Sequence, residues 1–104
     1  MITIGLYYDV LPGKGEALES KFSAVVEAMQ GVNGHKESHL YRRVDDPDSY
    51  VIISEWETRE DFMAFLRSDA FRETTRWGRE NVLRRPPRHT VYPKSEDLGG
   101  PPRG

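Results

Sequence analysis

Asp45-Asp46-Pro47-Asp48-Ser49-Tyr50-Val51-Ile52-Ile53-Ser54-Glu55-Trp56-Glu57-Thr58 is the stretch on which the fold turns. Its opening aspartates and proline are turn formers: Asp side chains bond their own backbone, and Pro47 presets φ. Residues 49–56 read as a strand. Val51, Ile52 and Ile53 are consecutive, so apolar side chains leave that strand on both faces. A strand of this kind needs cover on both sides. Thr58 then reads as a helix N-cap, with Asp61 as a weak capping-box partner.

Working outward, residues 35–44 read as a strand that forms a hairpin with 49–56 through the Asp-rich turn. Residues 1–10 read as another. Ile2, Ile4, Leu6, Tyr8 and Val10 share one face, and Thr3, Gly5, Tyr7 and Asp9 share the other. Pro12-Gly13-Lys14-Gly15 breaks it. Leu18, Phe22, Val25 and Met29 then recur at helical spacing over 15–30, and Gly31 and Gly34 end that helix. Beyond Thr58, Phe62, Phe65 and Leu66 form an apolar helix face. Ser68-Asp69 interrupts it before a second helical piece over 70–82. Pro86-Pro87 stops any helix, and His89-Thr90-Val91-Tyr92 makes a short last strand ended by Pro93.

The order is β-α-β-β-α-β, the ferredoxin-like α+β arrangement, with an antiparallel sheet and its helices on one face. Helices on one face leave the other bare, and a second copy of the chain is the simplest cover. A single domain over 1–93 is expected. The tail 94–104, with three Gly and two Pro, reads as flexible or draped on a partner.

Composition narrows the function classes. The 104 residues are 37% hydrophobic and 31% charged, with no cysteine, which excludes disulfides, thiolate metal sites and a Cys nucleophile. No apolar run is long enough for a membrane helix. The N-terminus opens directly as a strand without a signal-peptide pattern, so a cytoplasmic protein is expected. The net charge of −2 hides an asymmetry. Residues 1–71 hold 7 Lys and Arg against 13 Asp and Glu, whereas residues 72–94 hold 7 against 2. Without a recognised nucleic-acid motif, the basic segment reads as a solvated helix end and loop.

The 45–58 run, with Phe62, Ser68 and Phe71 after it and the Pro12-Gly13-Lys14 turn before the first helix, resembles the antibiotic biosynthesis monooxygenase family. The likeness spans about residues 1–92. It implies a homodimeric α+β barrel with a ligand cavity between sheet and helices in each subunit. Its members include cofactor-free oxygenases of phenols and anthrones, quinol oxygenases and haem-degrading enzymes. The haem-degrading pattern has an Asn on the first strand, a Trp ending the third strand and a haem-ligating His on the second helix. Trp56 matches the Trp. Tyr7 or Tyr8 stands at the Asn position, and Thr75 stands at the His position. The resemblance therefore implies a cofactor-independent monooxygenase acting on an aromatic or quinone-like molecule, with no cofactor expected and haem not favoured. The alternatives are a haem- or hydrophobic-ligand-binding protein of this fold, or a dimeric accessory subunit.

His35 and His39 have zinc-like spacing, but on a strand residues four apart stand roughly 13 Å apart, too far to share one ion. No metal site is expected. His39 shares a strand face with Glu37, Tyr41 and Arg43, and as a neutral imidazole it can act as a general base. Tyr8 can donate a hydrogen bond to a ligand. Trp56, Tyr41, Arg43, Thr75 and Trp77 complete the candidate ligand contacts, though Trp56 also reads as a core residue. Strand alternation does not say which face the helices cover, so the polar cluster lies either at a cavity or at a dimer interface.

Overall fold

The run that decides the fold forms an inner strand, paired along both edges, with one of its two apolar faces packed on the helices. The computed structural model describes residues 1–92. Its elements are β1 (Ile2–Asp9), α1 (Gly15–Met29), β2 (His35–Arg42), β3 (Ser49–Trp56), α2 (Arg59–Leu66), α3 (Asp69–Asn81) and β4 (Arg88–Tyr92). The strand order is β2-β3-β1-β4, and every pairing is antiparallel. The tail expected over 94–104 lies outside the described residues.

Alternation divides the sheet cleanly. Ile4 and Leu6 of β1 and Ile52 and Trp56 of β3 pack with Met29, Phe62 and Phe65 into the main core. A second core joins Val10, Leu18, Tyr50, Val82 and Leu83. The even-numbered residues of β1 and β3 thus face the helices. Val51, Ile53, Tyr7 and Thr3 stand on the open face, only partly buried. On that face the Tyr7 and Tyr92 hydroxyls hydrogen-bond to each other. Their rings fold over Gly5, where a Cβ would come within 3.1 Å of Tyr7.

Local chemistry sets the helix boundaries. The Thr58 hydroxyl accepts from the Asp61 N–H at 3.1 Å, as an N-cap should. The capping box is not completed, because the Asp61 carboxylate accepts instead from Asn33 Nδ2 at 3.0 Å. That bond crosses to the turn at Gly34, whose φ of +84° and contact with Asp61 leave no room for a Cβ. The break at Ser68-Asp69 separates α2 from α3. The Ser68 hydroxyl donates to the Phe65 carbonyl at 2.7 Å and accepts from the Phe71 N–H at 3.2 Å, so one side chain ends one helix and begins the next. At the other end of the sheet, Tyr50 donates to Glu19 at 2.7 Å and ties β3 to α1. Among the described residues no helix is long and apolar enough to cross a membrane.

Candidate functional site

Tyr8 is the polar side chain that β1 turns toward the helices, opposite Tyr50 in the β1–β3 register. Burial pushes its hydroxyl up to about 12, so at neutral pH it stays protonated and can donate. Among the described residues no hydrogen bond engages it. It borders a cavity of about 30 Å³, closed by Phe22 and Val25 of α1, Ile52 of β3, and Thr75 and Trp77 of α3. That is room for about one water molecule. Lys21 enters from α1, its ammonium 5.2 Å from the centre of the Trp77 ring, within cation–π range.

Thr75 also borders a second, open space. This groove of about 570 Å³ is lined by Leu66 and Phe71 together with Arg72, Arg76, Arg79 and Glu80. The three arginines recur at i, i+4 and i+7, so they share one side of α3. Arg43, Arg85 and Arg88 each pair with an aspartate. The groove arginines pair with no carboxylate among the described residues.

Of the candidates chosen from sequence, Tyr8, Thr75 and Trp77 come together around the inner cavity. His39, Tyr41 and Arg43 do not join them. His39 and Tyr41 register against Ile53 and Val51 on the open face, where His39 lies 3.5 Å from Glu37 and is largely exposed. The sheet therefore stands between Tyr8 and His39. Arg43 makes two bonds to Asp45, at 2.9 and 2.8 Å, within the hairpin turn. Trp56 borders neither space. It is 0% exposed, its ring centre 5.1 Å from His35, 5.6 Å from Phe62 and 5.5 Å from Phe65. Its indole N–H donates to Ser54 at 3.1 Å.

The histidine pair differs from its sequence reading in geometry. A bulge between His35 and Glu37 shifts the β2 register, sending His35 to the helix face and leaving His39 on the open one. His35 shares a 2.8 Å hydrogen bond with Ser38, and burial lowers its pKa. Among the described residues no group of three or more His, Asp and Glu is placed to hold a metal ion. The site residues that the sequence reading passed over are Lys21, Leu66, Arg72 and Arg79. The heptad-like spacing of the arginines was visible, but on a helix it equally describes a solvated face.

An antiparallel sheet ordered β2-β3-β1-β4 with its helices on one face and a small cavity beneath them defines a ferredoxin-like α+β domain. The chain belongs to the antibiotic biosynthesis monooxygenase family, whose sequence profile matches residues 1–77. A Haloarcula marismortui protein whose name proposes haem binding is 41% identical over 87 residues, covering 84% of this chain and 13% of that protein. The chain thus spans about an eighth of that relative's length. A heme-degrading monooxygenase from Halalkalibacterium halodurans is 35% identical over 66 residues, 62% of this chain and 56% of that enzyme. A Bordetella bronchiseptica structure whose description proposes an antibiotic biosynthesis monooxygenase superposes with a TM-score of 0.79 at 23% identity, covering 89% of this chain and 95% of that one. At that identity the superposition speaks for the fold alone.

These relatives overturn the expectation that no cofactor is involved and that haem is not favoured. That expectation rested on Thr75 standing where the haem-degrading pattern has a His. A missing imidazole at one position argues against one way of ligating iron. It leaves untouched the binding of a porphyrin through its ring and edge.

Proposed function

We propose that this chain is a haem-binding domain of its family and that the ligand lies in the groove along α3. The observation that carries the reading is the groove itself, an open space of about 570 Å³ beside Thr75 with an apolar side formed by Leu66 and Phe71. Its volume falls in the range of roughly 300–1,000 Å³ common for small-molecule sites, whereas the inner cavity of about 30 Å³ is far too small. Names of relatives supply the ligand class. The lining fits the ring through Leu66 and Phe71. It contains no His, Met, Cys or Tyr, so the described lining brings no customary side-chain ligand to the iron. Bound haem would supply a redox-active iron; the chain's own residues hold and orient the ring and shield one of its faces from water.

Titration with haem, followed by the Soret band and by quenching of tryptophan fluorescence, tests this. Saturable one-to-one binding is expected, and it should weaken when Phe71 is replaced by Glu. Spectra that match free haem throughout would refute the reading.

The bare face of the sheet belongs to the same proposal. Val51, Ile53 and the Tyr7–Tyr92 pair present a mixed apolar surface that a second copy would cover. Light scattering should then report about twice the 12.0 kDa chain mass, and a monomer at micromolar concentration would refute it.

A further inference from the structure

Three arginines on one helix face ordinarily attract acidic neighbours at i±4 or across the surface. Here Arg72, Arg76 and Arg79 border the α3 groove, and among the described residues none is in an ion pair. Glu80 is the one acid in the lining, so the lining itself is net positive, with Asp69 and Glu73 set in an adjoining recess beside Arg72 and Arg76. Residues i to i+7 span about 10 Å along a helix, so the guanidiniums form a row rather than a point. Leu66 and Phe71 supply apolar surface beside that row. A row of planar forks beside an apolar strip is suited to carboxylates carried on a flat apolar body, since guanidinium meets carboxylate through paired hydrogen bonds.

We infer that the groove selects its ligand by carboxylate groups on the edge of a flat apolar ring, held by Arg72, Arg76 and Arg79, and that it does so irrespective of a central metal. This rests on the proposed haem reading and names what that site recognises. Iron-free porphyrin dicarboxylates should then bind as well as haem, and porphyrins whose carboxylates are blocked should not.

The test compares protoporphyrin IX, its dimethyl ester and haem on the full chain, by porphyrin fluorescence and tryptophan quenching at sub-micromolar ligand. The free acid should bind at least about tenfold more tightly than the ester, the equivalent of one charge-assisted hydrogen bond. In the triple variant R72Q/R76Q/R79Q that preference should disappear, with the circular dichroism spectrum unchanged. The substituted side chains are exposed, and the packing residues Phe71, Trp77 and Gly78 are untouched. Glu73→Gln, which removes an acid from the same helix, should leave the preference in place. Raising the salt concentration should shrink it, because exposed charges are screened.

Equal binding of acid and ester by the wild-type chain would overturn the inference while leaving haem binding standing. Arginine-dependent binding of the iron-free acid by a chain that refuses haem would sustain the inference and remove the haem reading. Failure to bind any of the three would overturn both.

Discussion

Replacing Trp56 with alanine empties the largest fully buried side chain in the described core. Truncating a buried Trp costs about 3–5 kcal/mol. The upper half of that range applies here. The ring contacts to His35 on β2 and to Phe62 and Phe65 on α2 come from a neighbouring strand and from a separate helix, so no single shift closes the hole. Ser54, at 1% exposure, also loses the indole donor that its hydroxyl accepts from. A figure of about 4 kcal/mol is most of the total for a domain at the low end of the usual range of about 5–15. With an unfolding entropy of about 2.1 cal/mol/K per residue over 104 residues, the melting temperature should fall by about 20 °C. Far-ultraviolet circular dichroism during a thermal ramp reads this directly. Trp56→Phe keeps a ring in the site and should recover a large part of the loss. A Trp56→Ala melting point within about 5 °C of wild type would show that the ring is not a core element, and the assignment of His35, Phe62 and Phe65 as its packing partners would fall with it.

His35 gives a pH dependence of definite sign. Burial lowers its pKa in the folded chain, so the unfolded chain, with a value near 6.5, binds the proton more readily. The His35 contribution is complete above about pH 6.5 and is lost as pH falls through the lower folded value. Urea midpoints should therefore decline on acidification through this window, and His35→Gln should flatten the decline; an equal slope in the variant would remove His35 as its source. Gly34→Ala must place a Cβ at φ +84° against the Asp61 carboxyl, at a cost of at least about 1–2 kcal/mol. Its denaturation midpoint should drop accordingly, and an unchanged midpoint would contradict the described turn.

Much of the fold could be read from residue types. Thr58 announced its helix start because a hydroxyl at an N-cap has a specific backbone donor to satisfy, whereas Ser68-Asp69 read only as a break and its capping role is visible in the structure alone. The Val51-Ile52-Ile53 run announced a strand with apolar side chains on both faces; the helices cover one of them, at Ile52. The shape of the site was less accessible. Alternation placed Tyr8 and His39 on definite strand faces, but it carries no sign, and helix packing supplies that sign only in three dimensions. The extra residue at the β2 bulge was invisible as well, so His35 and His39 seemed to share a face when they do not. Grouping Tyr8 with His39, Tyr41 and Arg43 failed for the first reason. Arg43 had a nearer partner, since Asp45 lies two positions away in the same turn.

The two outer strands, β2 and β4, bear on how the chain behaves in concentrated solution. A sheet with long, flat, regular borders invites further strands and grows into fibres. Here one border is kinked by the His35/Glu37 irregularity and carries Lys36, Glu37 and Arg42, all exposed. The other, Arg88–Tyr92, is only 5 residues long and follows Pro86-Pro87, whose nitrogens have no hydrogen to donate. Neither border makes a good template, so strand-by-strand growth into open-ended ribbons is disfavoured at both.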